Sequence, residues 1–125
     1  MESPYKGKTG LIRIRNALFY SIAGIKAAYA CEDAFRQEIW LAAFLVPTAI
    51  LLPVSAIGKA LMIGSILLVL IVELLNSAIE AAIDRIGLEN HLLSKRAKDI
   101  GSASVFFALI NVVVIWAGVL VESWK

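Results

Sequence analysis

The sequence predicts an all-α integral membrane protein, with three transmembrane helices preceded by an amphipathic helix on the membrane surface. Three observations predict it. Hydrophobic residues make up 60% of the 125, well above the roughly 45–50% of soluble domains, so lipid must form part of the solvent. Charges gather in short stretches that separate long apolar runs. Ahead of the first run, apolar residues recur at helical spacing on a segment too charged to span. One domain is expected at this length.

Residues 1–10 are polar, with Pro4, Gly7 and Gly10, and read as a flexible tail. No compact apolar segment with a small-residue cleavage site follows Lys6, Lys8, Arg13 and Arg15, so no cleaved signal peptide is expected. Residues 11–30 read as the surface helix. Ile14, Leu18, Ile22, Ile25 and Tyr29 recur at spacings of three and four, while Arg13, Asn16 and Tyr20 fall on another face. Arg13, Arg15 and Lys26 interrupt the segment too often for a span, and a basic amphipathic helix suits the headgroup layer.

The first span is expected over residues 34–53. Its apolar run starts at Ile39 and is short of the ~20 residues a span needs, so it recruits from the charged cluster CEDAFRQE before it. Pro47 is placed to kink it and Pro53 to end it. After a tight turn, residues 57–86 read as one long second helix, about 45 Å at 1.5 Å per residue. That exceeds the ~30 Å hydrocarbon core, so its later turns project into the interface. Residues 87–98 read as a polar connection with Gly87 as a helix stop, and residues 97–121 as the third span. Trp40 and Trp124 flank spans as interface anchors, and Trp116 is placed for anchoring or for packing.

Orientation follows from the cations. Lys and Arg crowd the N-terminal segment and residues 85–98, whereas the turn between the first two spans carries only Lys59. The positive-inside rule puts the N-terminus and the second connection in the cytoplasm, and three spans leave the C-terminus outside. Net charge is only +2, and no nucleic-acid partner is expected. The single cysteine, Cys31, excludes an intrachain disulfide. His91 stands alone, so no zinc spacing exists, and Gly58-Lys59 lacks the rest of a phosphate-binding glycine loop.

The chemistry lies in the second helix. Glu73, Asn76, Ser77, Glu80 and Asp84 follow at i, i+3, i+4, i+7 and i+11, which places them on one face with apolar residues between. Counted from Ile57, Glu73 lies about 24 Å in and Glu80 about 35 Å in, so Glu73 is intramembrane and Glu80 interfacial. A carboxylate at that depth is costly and marks a functional site, the alternative being a hydrogen bond that fixes helix register. Asp84 and Arg85 read as an interfacial pair. Glu32 and Arg36, and likewise Asp33 and Gln37, stand four apart on a helical face. Lys95, Arg96, Lys98, Asp99 and Ser102 cluster at the entry to the third span, where Lys and Arg suit phosphate and equally fit the positive-inside rule.

These parts suit phosphoryl transfer from a water-borne nucleotide to a lipid hydroxyl. Glu32 and Glu80 at the interface suit Mg²⁺, which takes a few carboxylates plus phosphate oxygens. A carboxylate held out of water is a better proton acceptor, which suits Glu73 to an alcohol.

The runs EDAFRQE (Glu32–Glu38), VELLNSAIEAAIDRIG (Val72–Gly87) and HLLSKRAKDIGSA (His91–Ala103) resemble, in order and spacing, the signature blocks of the bacterial membrane-integral diacylglycerol kinases. The resemblance implies a homotrimer of three-span protomers in the bacterial cytoplasmic (inner) membrane, with a periplasmic C-terminus and active sites shared between neighbours. It implies transfer of the γ-phosphate of MgATP to diacylglycerol, giving phosphatidic acid. By motif position Glu73 would be the general base, and Glu32 and Glu80 the metal ligands. Asn76, Lys98 and Asp99 would serve the phosphates. Arg13 and Tyr20 would approach the nucleotide, and Glu89 and His91 its adenosine end. Arg13 and Ser102 would join Glu73 at the lipid.

A sister branch of the same architecture phosphorylates undecaprenol, and the NSAIEAAIDRIG and FRQE wording leans toward diacylglycerol. A proton-coupled transporter would also carry a membrane glutamate, but here the polar groups gather at one side. A structural subunit packed through Ala60/Gly64 and Ala78/Ala82 would leave the polar stripe as unexplained cost.

Overall fold

The computed structural model describes residues 9–125, so residues 1–8 of the expected polar tail lie outside the described residues. Four helices follow in order, α1 Leu11–Cys31, α2 Asp33–Leu51, α3 Ala56–Ile86 and α4 Leu92–Trp124. The last three are long and apolar enough to cross a membrane.

α1 begins after Gly10, whose φ of 76° is a left-handed conformation that glycine adopts without strain. One extended residue, Glu32 (φ −118°, ψ 111°), separates α1 from α2. Arg36 holds this elbow. Its guanidinium donates to the carbonyls of Tyr29 (2.6 Å) and Ala30 (3.0 Å), which the helix end leaves without helical partners, and it pairs with Asp33. The expected Glu32–Arg36 helical pair is therefore replaced, because Glu32 lies outside the helix.

α2 runs through Pro47. Proline offers no N–H to the carbonyl of Ala43, and just beyond it the Thr48 hydroxyl donates to the carbonyl of Phe44 at 2.8 Å. The helix stops at Leu51 rather than residue 53, because Leu52 precedes Pro53 and is held extended (ψ 145°). Lys59 closes the turn by donating its ammonium to the carbonyl of Ile50. Ser55 caps α3, its Oγ accepting from the Gly58 N–H at 3.0 Å.

α3 is the spine. α2 and α4 both pack along it without touching each other, and α1 touches α2 and α3. Gly58, Met62, Ser65, Ile66, Val69 and Glu73 form its buried stripe at helical spacing. Leu67, Ile71, Leu75 and Ile79 remain exposed, an apolar surface suited to lipid.

The seam between α3 and α4 is close. A Cβ at Gly58 would stand 3.0 Å from a Val119 methyl. Farther along, the Trp116 indole N–H donates to the Met62 carbonyl at 3.3 Å, and Ser65 Oγ donates to the same oxygen at 2.7 Å. Trp116 thus packs inward, whereas Trp40 and Trp124 are exposed. α4 starts at Leu92, before the expected residue 97, because His91 Nδ1 accepts from the Leu93 N–H at 3.1 Å and caps it. Lys95 and Arg96 are consequently helical.

Replacing Trp116 by Phe keeps the ring and removes the N–H. The variant is expected to unfold about 0.5–1.5 kcal/mol more easily, read from SDS-driven unfolding in mixed micelles. An unchanged unfolding curve would show that the bond contributes nothing to the seam.

Candidate active site

The site is assembled where the late turns of α3 meet the ends of the other helices. Glu73 continues the buried stripe four residues after Val69 and is only 5% exposed. A single protomer therefore shelters it. The reason is α3's central place, with α2 on one flank and α4 on the other.

Beyond Glu73 the polar stripe divides. Ser77 turns toward α1 and lines a mostly apolar groove of about 520 Å³ with Ala28, Cys31, Glu32 and Leu74. Asn76 turns toward α4. Its Nδ2 donates to Glu80 Oε1 at 3.4 Å, and its Oδ1 is buried without a hydrogen-bond partner. Glu80 is half-buried between these branches.

The carboxylates that bear on Glu73 are those of Glu38, Glu80 and Glu32. Glu38 was not among the expected site residues. It stands three residues after Phe35, which is buried on α2, so the two share a helical face. That spacing from a buried aromatic was the available signal. Carboxylates that bear on one another repel unless a cation or proton intervenes.

On the α4 side, Lys98 Nζ pairs with Asp84 Oδ1 at 2.9 Å across the two helices, and Lys95 pairs with Asp99 at 2.7 Å. Asp84 thus takes Lys98 as its partner, not Arg85 as expected, because α4 crosses beside the end of α3. Ser102 is exposed on α4 next to the buried Gly101. Glu89 lies in the connection with its carboxylate folded back over Gly87, and His91 is occupied as the α4 cap. Arg13 and Tyr20 are exposed on α1, and no hydrogen bond or ion pair among the described residues joins them to the other site residues.

The donors present fit Mg²⁺. They are carboxylate oxygens, the hard ligands this ion takes. Among the described residues no group of three or more His, Cys, Asp or Glu is arranged to hold a metal, and Mg²⁺ needs none, since one or two carboxylates plus phosphate and water complete its shell.

Membrane-crossing helices with ionisable groups collected at one end define a polytopic membrane enzyme. A family model described as prokaryotic diacylglycerol kinase matches residues 19–120. The diacylglycerol kinase of Pseudomonas aeruginosa is 58% identical over 118 residues, covering 94% of this chain and 96% of its own. That of Escherichia coli K12 is 53% identical over 108 residues (86% and 88%), and that of Helicobacter pylori 26695 is 42% identical over 123 residues (98% and 95%). The chain belongs to the prokaryotic diacylglycerol kinase family, and it is a membrane-embedded phosphotransferase.

Mutual repulsion among the carboxylates yields a prediction. In EDTA, Glu80→Gln is expected to raise the thermal midpoint by a few degrees, as removal of a strained functional charge commonly does. Mg²⁺ with a nucleotide should stabilise the unsubstituted protein and stabilise this variant much less. Equal stabilisation of both would remove Glu80 from the metal shell.

Proposed function

We propose that the protein transfers the γ-phosphoryl group of ATP to the hydroxyl of diacylglycerol, giving phosphatidic acid and ADP. The observation that carries this reading is the position of Glu73. It is a buried carboxylate in a membrane-crossing helix, and its neighbour Leu74 lines an apolar groove that Glu32 also borders. Glu80 and Asp84, the latter paired with Lys98 of α4, follow along the same helix toward water. A lipid hydroxyl entering from the groove and a phosphate entering from water would meet at Glu73.

Glu73 takes the hydroxyl proton, and the freed oxygen attacks the γ-phosphorus. The bond from that phosphorus to the β–γ bridging oxygen breaks, and ADP leaves with the electron pair. Glu32 and Glu80 would hold Mg²⁺, which neutralises phosphate charge when bound. Lys98 sets an ammonium against the phosphates while Asp84 keeps it in place. Asn76 orients Glu80, and Asp99 holds Lys95 beside Lys98. Arg13, Tyr20, Glu89 and His91 would complete the nucleotide contacts, and Arg13 and Ser102 those to the lipid.

The working assembly on this reading is a homotrimer with sites between copies. Its support is that, among the described residues, Arg13 and Tyr20 of α1 are exposed and bonded to none of their own protomer's carboxylates, and that α3 keeps an open apolar face. Orientation follows the cations, with the N-terminus and the α3–α4 connection in the bacterial cytoplasm and the C-terminus in the periplasm.

The test is turnover of diacylglycerol and of undecaprenol by purified protein in mixed micelles with MgATP. Diacylglycerol should be much the better acceptor, and faster turnover of undecaprenol would reassign the lipid. Glu73→Gln should lower kcat roughly 10²–10⁴-fold with the fold intact; turnover at the unsubstituted rate would sink the base assignment. Mixing inactive Glu32→Ala and Glu73→Ala subunits should restore partial activity if the sites are shared. Mixed assemblies without activity would place each site within one protomer.

A further inference from the structure

We infer that Gly101 is a positioning residue of the site: it leaves the surface of α4 bare where the Asn76 amide lies, and so keeps that amide turned toward Glu80. The inference rests on the reading of Glu80 as a magnesium ligand.

Gly101 is buried in the interior of α4, where glycine is ordinarily disfavoured against alanine. A Cβ at this position would overlap Asn76 Oδ1 and stand 3.2 Å from Asn76 Cγ. The space a side chain would fill is thus already taken by the asparagine. The same oxygen is buried with no hydrogen-bond partner of its own. At the other end of the amide, Nδ2 donates to Glu80 Oε1 at 3.4 Å.

These facts are linked by the rigidity of the amide group. It is planar, and two side-chain torsions place both ends together. Flipping it would bring Oδ1 against a carboxylate oxygen, two acceptors facing each other. A methyl group at residue 101 meets the far end of the asparagine side chain, and it is that side chain that gives way. The amide must swing away from α4, and its Nδ2 leaves Glu80. The other glycines within helices differ. Gly24, Gly64 and Gly118 have nothing within 4 Å of such a Cβ, and Gly58 meets Val119 at the opposite end of the α3–α4 seam. Among the glycines inside the described helices, it is at residue 101 that the bare backbone accommodates a polar side chain of the site.

The experiment measures Mn²⁺ binding to the full chain in detergent with a non-hydrolysable ATP analogue. Free Mn²⁺ is read by electron paramagnetic resonance, so no turnover enters. Gly101→Ala is expected to weaken Mn²⁺ binding about tenfold or more, the usual size of losing an orienting partner behind a metal ligand. Gly118→Ala, the same substitution in the same helix with open space around it, should leave binding unchanged. In an Asn76→Ser background, where the shorter side chain removes the overlap, adding Gly101→Ala should cost nothing further. If Gly101→Ala alone does not fold, the double variant should fold and bind Mn²⁺ as Asn76→Ser does. Unchanged binding in a folded Gly101→Ala would overturn the inference, as would an undiminished penalty in the Asn76→Ser background. Glu80→Gln separates the two levels. If it binds Mn²⁺ as well as the unsubstituted protein, the metal-ligand reading fails. If it loses binding while Gly101→Ala keeps it, only the positioning role fails.

Discussion

A carboxylate buried in a membrane-crossing helix is the constraint on which the rest of this structure depends. Facing hydrocarbon, Glu73 would cost several kcal/mol. The fold instead places it on the one helix that touches every other. α3 has 31 residues, about 46 Å at helical rise, so one helix holds both the buried glutamate and the groups that meet water. α2 and α4 both pack on α3, and neither touches the other. The protomer is a layer built on α3, not a closed bundle.

Four contacts set how α4 lies on α3: Gly58 with Val119, Met62 with Trp116, Asn76 with Gly101 and Asp84 with Lys98. They occur in antiparallel order along both helices. The first two are made by close packing and a hydrogen bond to the backbone, and they fix register far from the carboxylates. The last two lie within the site. A single register thus sets the packed end and the candidate site together, and a slip would separate Lys98 from Asp84 and Gly101 from Asn76 together. The α1–α2 elbow is fixed independently. Arg36 bonds the end of α1, and that leaves Glu32 extended at the mouth of the groove instead of paired on a helix.

Much of this was legible along the chain. The apolar runs marked the spans, Pro53 and Gly87 marked helix ends, and the period of Glu73, Asn76, Ser77 and Glu80 marked one polar stripe on the second span. The misreadings share one cause. Spacing puts Lys95 and Arg96 ahead of the third helix because it cannot tell a side-chain cap at His91 from a free imidazole. Asp84 was given its sequence neighbour Arg85 because nothing local announces a partner fourteen residues away on another helix. Glu38 was passed over because an interfacial run of charges hides which of its members faces inward.

The sequence by itself determined that the chain lives in lipid, that it is helical, and that one helix carries a polar face. Those properties depend on hydropathy and on a 3.6-residue period, both local. Only the tertiary structure decided that Asn76 turns to α4 while Ser77 turns to α1, that Glu38 joins Glu73, and that a glycine makes room for an amide. Each of these depends on the rotation and crossing of whole helices, and those are set by contacts between residues far apart in the chain.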